Sequence, residues 1–244
     1  MNPAVIAPFA AVIIGTAAHA EAPRLDAILA TPVAVIVKVP KPWYAPKAVV
    51  IGRMRDTIPQ YESLAGLSYK MYSFAQADGQ FGGIYLWKDA ASAQAWFNPA
   101  WFNRVKKERG AEGHVRYFDV PVALDNVPAG QSTYIENEAV ATLVTIAVPP
   151  GVDRARLVAE FRAAIPAYQK VPGLQRKYFV ITGDGRFGGI YLWDTQASAE
   201  RWFDSAWHER ARMTYGADAV IEWFDTPILL PSKLADNRIE MARP

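Results

Sequence analysis

Apolar positions in this chain alternate between continuous β-branched runs and helically spaced stripes, and the whole succession is played twice. Val33–Val39 and Val140–Val148 are strand-like runs closed by proline. After each comes a helical stripe: Val50, Ile51, Met54, Ile58 and Tyr61 in the first instance, Leu157, Val158, Phe161, Ile165 and Tyr168 in the second, with Asp153 as an N-cap. Leu67–Phe74 then runs through Ala77-Asp78-Gly79 into Phe81–Trp87, and the later copy turns through Gly183-Asp184-Gly185. Asp-Gly between aromatic-rich runs predicts a hairpin. Beyond Trp87 and Trp193 the pattern becomes helical, with caps at Asp89 and Thr195. Fresh caps at Asn98-Pro99 and Asp204-Ser205 predict a helix broken midway, closed by Gly110 and Gly216. Val115–Val120 and Ile221–Thr226 supply last strands, expected to end at Pro121 and Pro227.

The two passes are copies of one another. Phe81-Gly82-Gly83-Ile84-Tyr85-Leu86-Trp87 returns letter for letter as Phe187-Gly188-Gly189-Ile190-Tyr191-Leu192-Trp193, and 21 of 44 positions from Phe81 to Leu124 match those from Phe187 to Leu230 without a gap. Upstream the register differs by one residue, pairing Val33 with Val140 and Gly66-Leu67 with Gly173-Leu174. Each copy has the ferredoxin-like order β-α-β-β-α-β. A sheet with helices on one face needs its other face covered, and the second copy supplies that cover. The expected fold class is therefore α+β, two ferredoxin-like repeats packed sheet to sheet as a pseudo-twofold barrel in one chain. Repeat one is taken as residues 31–124, a linker as 125–138, repeat two as 139–230 and a polar tail as 231–244.

Composition narrows the partners. A formal charge of +2 at pH 7 offers no field for nucleic acid or an anionic membrane, and leaves a hydrophobic or aromatic small molecule as the expected partner. The chain has no cysteine, so disulfides, thiol catalysis and thiolate metal sites are excluded. No cluster of His, Asp and Glu has metal-ligand spacing, and the expectation is no metal and no cofactor. Residues 1–20 contain no Asp, Glu, Lys or Arg and end Ala18-His19-Ala20, which reads as an export signal with an A-x-A cleavage site. A periplasmic or secreted protein is expected, without a stable membrane span once the signal is cleaved, acting as a monomeric pseudo-dimer or a higher homo-oligomer.

At the hairpin and the helix after it, the Gly-Gly-Ile-Tyr-Leu-aromatic run resembles the dimeric α+β barrel monooxygenases, the superfamily of the antibiotic-biosynthesis monooxygenases, and within it the YdhR-type proteins. The resemblance implies a barrel normally assembled from two chains, here fused into one. Trp193 through Ser205 also resembles the strand-to-helix passage of the haem-degrading branch, with Trp202 nine residues after Trp193 and Ser205 three further on; Trp87, Trp96 and Pro99 repeat the spacing. That branch implies an iron-ligating His where this chain has Lys106 and Arg212, and an Asn on the first strand that both copies lack. Haem degradation is disfavoured accordingly.

The candidate site residues are His208 as a general base, Arg212 as an anion stabiliser, and Trp96, Trp202, Tyr85 and Tyr191 as binding residues for a flat aromatic ligand. His208 has no counterpart in repeat one, where Phe102 stands. Asp119 and Asp225 recur on the last strands. Which sheet face carries Tyr85 and Tyr191 is open at this level. The function expected is a cofactor-independent monooxygenase acting on an electron-rich aromatic or quinol-like molecule; the alternative is a non-catalytic exported barrel that binds a hydrophobic small molecule. An RNA-recognition strand is a third reading, disfavoured by Gln80 in place of Arg186 and by the small net charge.

Overall fold

A computed structural model describes residues 31–41, 45–127, 135–136, 138–237 and 239–243. The segment read as an export signal and most of the central linker lie outside them. Repeat one comprises β1 (Val33–Val39), α1 (Lys47–Asp56), α2 (Ile58–Glu62), β2 (Leu67–Ala75), β3 (Phe81–Trp87), α3 (Ala90–Trp96), α4 (Pro99–Arg109) and β4 (His114–Asp125). A short β5 (Ile135–Glu136) precedes repeat two, which comprises β6 (Val140–Ala147), α5 (Arg154–Tyr168), β7 (Leu174–Ile181), β8 (Arg186–Trp193), α6 (Gln196–Trp202), α7 (Ser205–Tyr215) and β9 (Val220–Pro231).

The caps fall where the sequence puts them. Asp153, Asp89, Thr195, Asn98 and Asp204 each accept a hydrogen bond from the backbone N–H three residues on. Gly110 and Gly216 close α4 and α7 at φ 70° and 71°, a left-handed conformation that a side chain would resist. The first helix of repeat one is divided at Thr57, whereas its counterpart α5 carries Pro166 without division.

Each repeat forms an antiparallel sheet, β2-β3-β1-β4 and β7-β8-β6-β9, as the ferredoxin-like order requires. The two sheets do more than stack. β4 pairs with β7 and β9 pairs with β2, so eight strands close into one barrel with two seams between the repeats. The last strands accomplish this by running beyond the prolines expected to end them. The β4 ladder to β1 stops at Asp119, and the ladder to β7 resumes at Val122 after a bulge; β9 likewise leaves β6 at Asp225 and continues along β2 to Pro231. Pro121 and Pro227 sit at this exchange of partners, where a missing N–H costs no ladder bond. Closure removes the exposed edges that an open four-stranded sheet would present.

Closure also buries both faces of every sheet. Ala34, Ile36, Met71, Ile84, Leu86, Leu143, Tyr178, Ile190 and Leu192 fill the barrel. On the outside, Val35, Val37, Tyr85 and Trp87 meet the helices of repeat one, and Val144, Tyr191 and Trp193 those of repeat two. Tyr85 and Tyr191 thus lie on the helix face. The residues after β9 fold back onto the body: buried Asn237 accepts from Gly66 N at 2.7 Å and donates to the carbonyls of Leu64 and Leu67.

Charge crosses the pseudo-twofold relation. Arg154 of α5 binds Asp119 of β4, and Lys47 of α1 binds Asp225 of β9, so the recurring aspartates hold one repeat's last strand to the other repeat's helix. Arg116 and Glu222 occupy equivalent positions and meet in a two-pronged pair at 2.7 and 2.8 Å. Two identical chains would bring like residues together there; a single chain can place opposite ones.

Candidate active site

The repeated strand motif makes sense from the space around it. A Cβ on Gly82 or Gly188 would stand 2.1 or 2.0 Å from the carbonyl oxygen of Val37 or Val144 on the neighbouring strand. One on Gly83 or Gly189 would stand 3.0 or 2.9 Å from the ring of Tyr85 or Tyr191, and 3.2 or 3.0 Å from Cε of Lys70 or Lys177. The first glycine permits close strand approach. The second clears room for a tyrosine and a lysine.

Those lysines are the residues that sequence reasoning missed. Lys70 and Lys177 are equivalent, each sits mid-strand in an apolar run, and each is only 2% exposed. A charged residue repeated inside two buried strands was the available signal. The bulges after Leu67 and Leu174 set their phase, placing them with Tyr72 and Phe179 on the helix face. Opposite them at the seams lie Leu230 and Leu124, each from the other repeat, so barrel closure completes both enclosures.

Each amine lies against aromatic faces. Lys70 Nζ is 3.1, 3.7 and 4.7 Å from the ring centroids of Tyr61, Tyr72 and Tyr85; Lys177 Nζ is 3.1, 4.0 and 4.5 Å from those of Tyr168, Phe179 and Tyr191. Neither forms a salt bridge among the described residues. Burial pushes both amines well below the ordinary lysine value. Ring faces attract an ammonium by about 0.5–2 kcal/mol each, while removing an ion from water costs several kcal/mol without a counter-ion. Burial thus works against the charged form of both amines.

The same burial raises the tyrosines. Tyr168 is pushed up to about 12, and Tyr191 stands well above its ordinary value through burial and the neighbouring Tyr168. Their hydroxyl oxygens are 3.5 Å apart. The pair is a store of bound protons beside a proton acceptor.

In repeat two this cluster borders a cavity of about 70 Å³ between sheet and helices, walled by Val144, Phe179, Trp207, Tyr191 and Lys177, with half-buried Glu160 and Tyr215 also on its lining. Trp207 has a buried indole N–H without a partner among the described residues. The volume is about half that of a dry cavity of about 150 Å³ known to hold benzene, so a small molecule or one end of a larger one fits. Repeat one differs at the corresponding positions. Tyr72 replaces Phe179 and its hydroxyl is 2.8 Å from Oγ1 of Thr57, which replaces Ala164; Arg109 replaces Tyr215 and lies 5.3 Å over Phe81. Repeat one thus carries a hydroxyl pair and a guanidinium at these positions.

The expected site residues divide accordingly. Tyr191 lines the cavity, and Tyr85 holds the matching place under Lys70. Trp202 packs 5.9 Å from Tyr168, and Trp96 5.5 Å from Tyr61, as the outer layer behind each tyrosine; neither the cavity wall nor the amine is reached by Trp202. His208 and Arg212 are exposed on α7. Helical spacing turns Trp207, Ala211 and Tyr215 inward, which sends the residues one position later outward. The cavity is lined without His208 or Arg212. Among the described residues no group of three or more His, Asp or Glu side chains converges, and no helix is long and apolar enough to cross a membrane.

No protein-family model matches the chain, and no curated protein matches its sequence. Solved structures do match its fold. A protein described as a "putative monooxygenase" from Lactobacillus acidophilus NCFM is 13% identical with a TM-score of 0.57, over 82% of this chain and 96% of that one. A second protein so described, from Fusobacterium nucleatum subsp. nucleatum, is 14% identical with a TM-score of 0.58, over 84% and 99%. An "anthrone oxidase-like protein" is 12% identical with a TM-score of 0.53, over 87% and 97%. The α+β barrel is shared with these monooxygenase-type proteins, across both repeats.

Proposed function

We propose that this protein is a monooxygenase of small, electron-rich aromatic or quinol-like molecules, working with dioxygen and without a bound cofactor in the cavity of repeat two. The observation that carries the reading is the buried Lys177 amine, its pKa pushed down by enclosure, bordering that cavity beside Tyr191. Oxygenation of this kind starts when a substrate O–H or an acidic C–H loses its proton. A neutral buried amine accepts it, and the resulting ammonium pairs with the substrate anion in a site of low dielectric. The anion then reduces dioxygen and combines with it. For an aryl-flanked methylene the sum is CH₂ and O₂ giving C=O and H₂O, which needs no other reductant.

Apolar walls favour the anion's transfer of an electron over its reprotonation by water, and Phe179, Phe187 and Trp207 supply such walls. One structural neighbour, described as anthrone oxidase-like, is named for a substrate of this chemical kind and supports the choice. In the same reading the protein works outside the cytoplasm after cleavage between Ala20 and Glu21.

The test is oxygen consumption with a panel of hydroquinones, naphthols and anthrones. Lys177→Met is expected to lower the rate about 10²–10⁴-fold, the usual worth of a positioned base. Lys70→Met and His208→Ala should leave it within a few-fold. Equal loss from Lys70→Met, or no consumption with any of the panel, would count against the reading.

A further inference from the structure

We propose that the Lys177 amine is also a nucleophile, which captures a small aldehyde or ketone in the repeat-two cavity as an imine. The inference rests on the same cavity as the oxygenation reading but on a different property of the amine, its lone pair toward carbon rather than toward a proton.

The geometry is specific to this lysine. Lys177 is almost wholly enclosed, yet it is part of a cavity wall and has no carboxylate within 4.0 Å among the described residues. A lysine held in a salt bridge donates its lone pair to a proton and cannot attack. The about 70 Å³ of space accommodates a carbonyl compound of a few carbons, or the formyl group of an aryl aldehyde whose ring lies toward the opening. Gly189 leaves Lys177 Cε unobstructed, where a Cβ would lie at 3.0 Å. In repeat one Lys70 is equally buried, beside the hydroxyl contact of Tyr72 with Thr57, and serves as the internal comparison.

The step balances without oxidant or reductant. The nitrogen lone pair forms the new C–N bond as the carbonyl π bond opens onto oxygen. Both N–H protons then leave with that oxygen as water, and the C=N bond closes. An apolar wall favours the imine by limiting the water that would reverse it. For a ketone bearing an α-hydrogen, the imine tautomerises to an enamine as the α-proton moves to nitrogen, giving an electron-rich carbon of the type that the oxygenation reading requires; the substrate class thereby extends to carbonyl compounds.

Trapping tests this directly. Full-length protein at pH 7 is incubated with propanal or benzaldehyde and cyanoborohydride, which reduces the imine to a stable secondary amine, and the modified lysines are mapped by peptide mass spectrometry. Lys177 is expected to be labelled first, at least about a hundredfold faster than exposed Lys47 or Lys106, because an ordinary lysine keeps only about one amine in a thousand or fewer uncharged at this pH. Lys70 should lag behind Lys177. Lys177→Met should remove the fast adduct and leave slow surface labelling unchanged. Labelling spread over exposed lysines with Lys177 unmodified would overturn the proposal, and because the wild-type map decides this, a poorly folded variant does not obscure it. Oxygen uptake measured on the same preparation separates the two readings: a Lys177 adduct without uptake upholds the imine and sinks oxygenation, whereas uptake without the adduct sinks the imine alone.

Discussion

Replacing Lys70 and Lys177 together by Met is expected to stabilise the folded protein at neutral pH and to flatten its stability profile in the alkaline direction. Met matches the length of the lysine stem and fills the aromatic cleft with no charge to discharge. In the wild type each lysine has a folded pKa well below its unfolded value of 10.5. Between those two values the unfolded chain binds more protons than the folded one, so stability rises with pH by about 1.4 kcal/mol per unit for each lysine. The rise ends near the ordinary lysine value. Above about 10 the raised tyrosines act oppositely, since their unfolded forms ionise first and stability falls. Denaturant titrations from pH 6 to pH 9 should therefore slope upward for the wild type and lie nearly flat, and higher at the acid end, for the double variant. Parallel profiles would mean that both lysines remain charged in the fold.

Asp125→Asn should be the most damaging of the conservative changes. Asp125 ends β4 on the barrel side, 3.2 Å from Arg176 of β7 and 3.6 Å from Arg243 of the C-terminal segment; Asp125 and Arg176 are both buried. Removing the carboxylate leaves the Arg176 guanidinium enclosed without its anion, at a cost of about 3–5 kcal/mol. Because the pair spans one of the two seams, the loss falls on the contact between repeats. Glu222→Gln breaks the pair with Arg116, but those side chains are 43% and 33% exposed, and the expected cost is about 1 kcal/mol or less. Thermal unfolding of the two variants compares them; equal shifts would contradict the weight given to the buried pair.

Much of the fold was legible because it depends on local rules repeated twice. Caps, hairpin glycines and the helical stripes are each decided by a few neighbouring residues, and most of these signals occur in both copies. The closure of the barrel was less legible. Pro121 and Pro227 look like strand ends when hydrogen bonding is counted along one partner, and become points of exchange only when a second sheet supplies the next partner. The site shows the same division. Tyr85 and Tyr191 were identified from the repeated motif, but the alternation of a strand does not say which face meets helices. Lys70 and Lys177 read as ordinary charged residues in sequence; their burial comes from bulges after Leu67 and Leu174 and from strands of the opposite repeat. His208 and Arg212 attracted attention through their chemistry, and the helical phase of α7 turns both to solvent.

Closing two repeats into one barrel is expected to hold the Lys177 amine, and its twin at Lys70, uncharged at neutral pH. The most direct measurement is an NMR titration of the lysine side chains labelled at Cε and Nζ, with Lys70→Met and Lys177→Met to assign the signals. Two resonances should already have the shift of a neutral amine at pH 7, one vanishing in each variant, while the rest titrate near 10.5. If every lysine titrates near that ordinary value, the aromatic rings are holding ammonium ions, and neither the base nor the nucleophile described for repeat two exists.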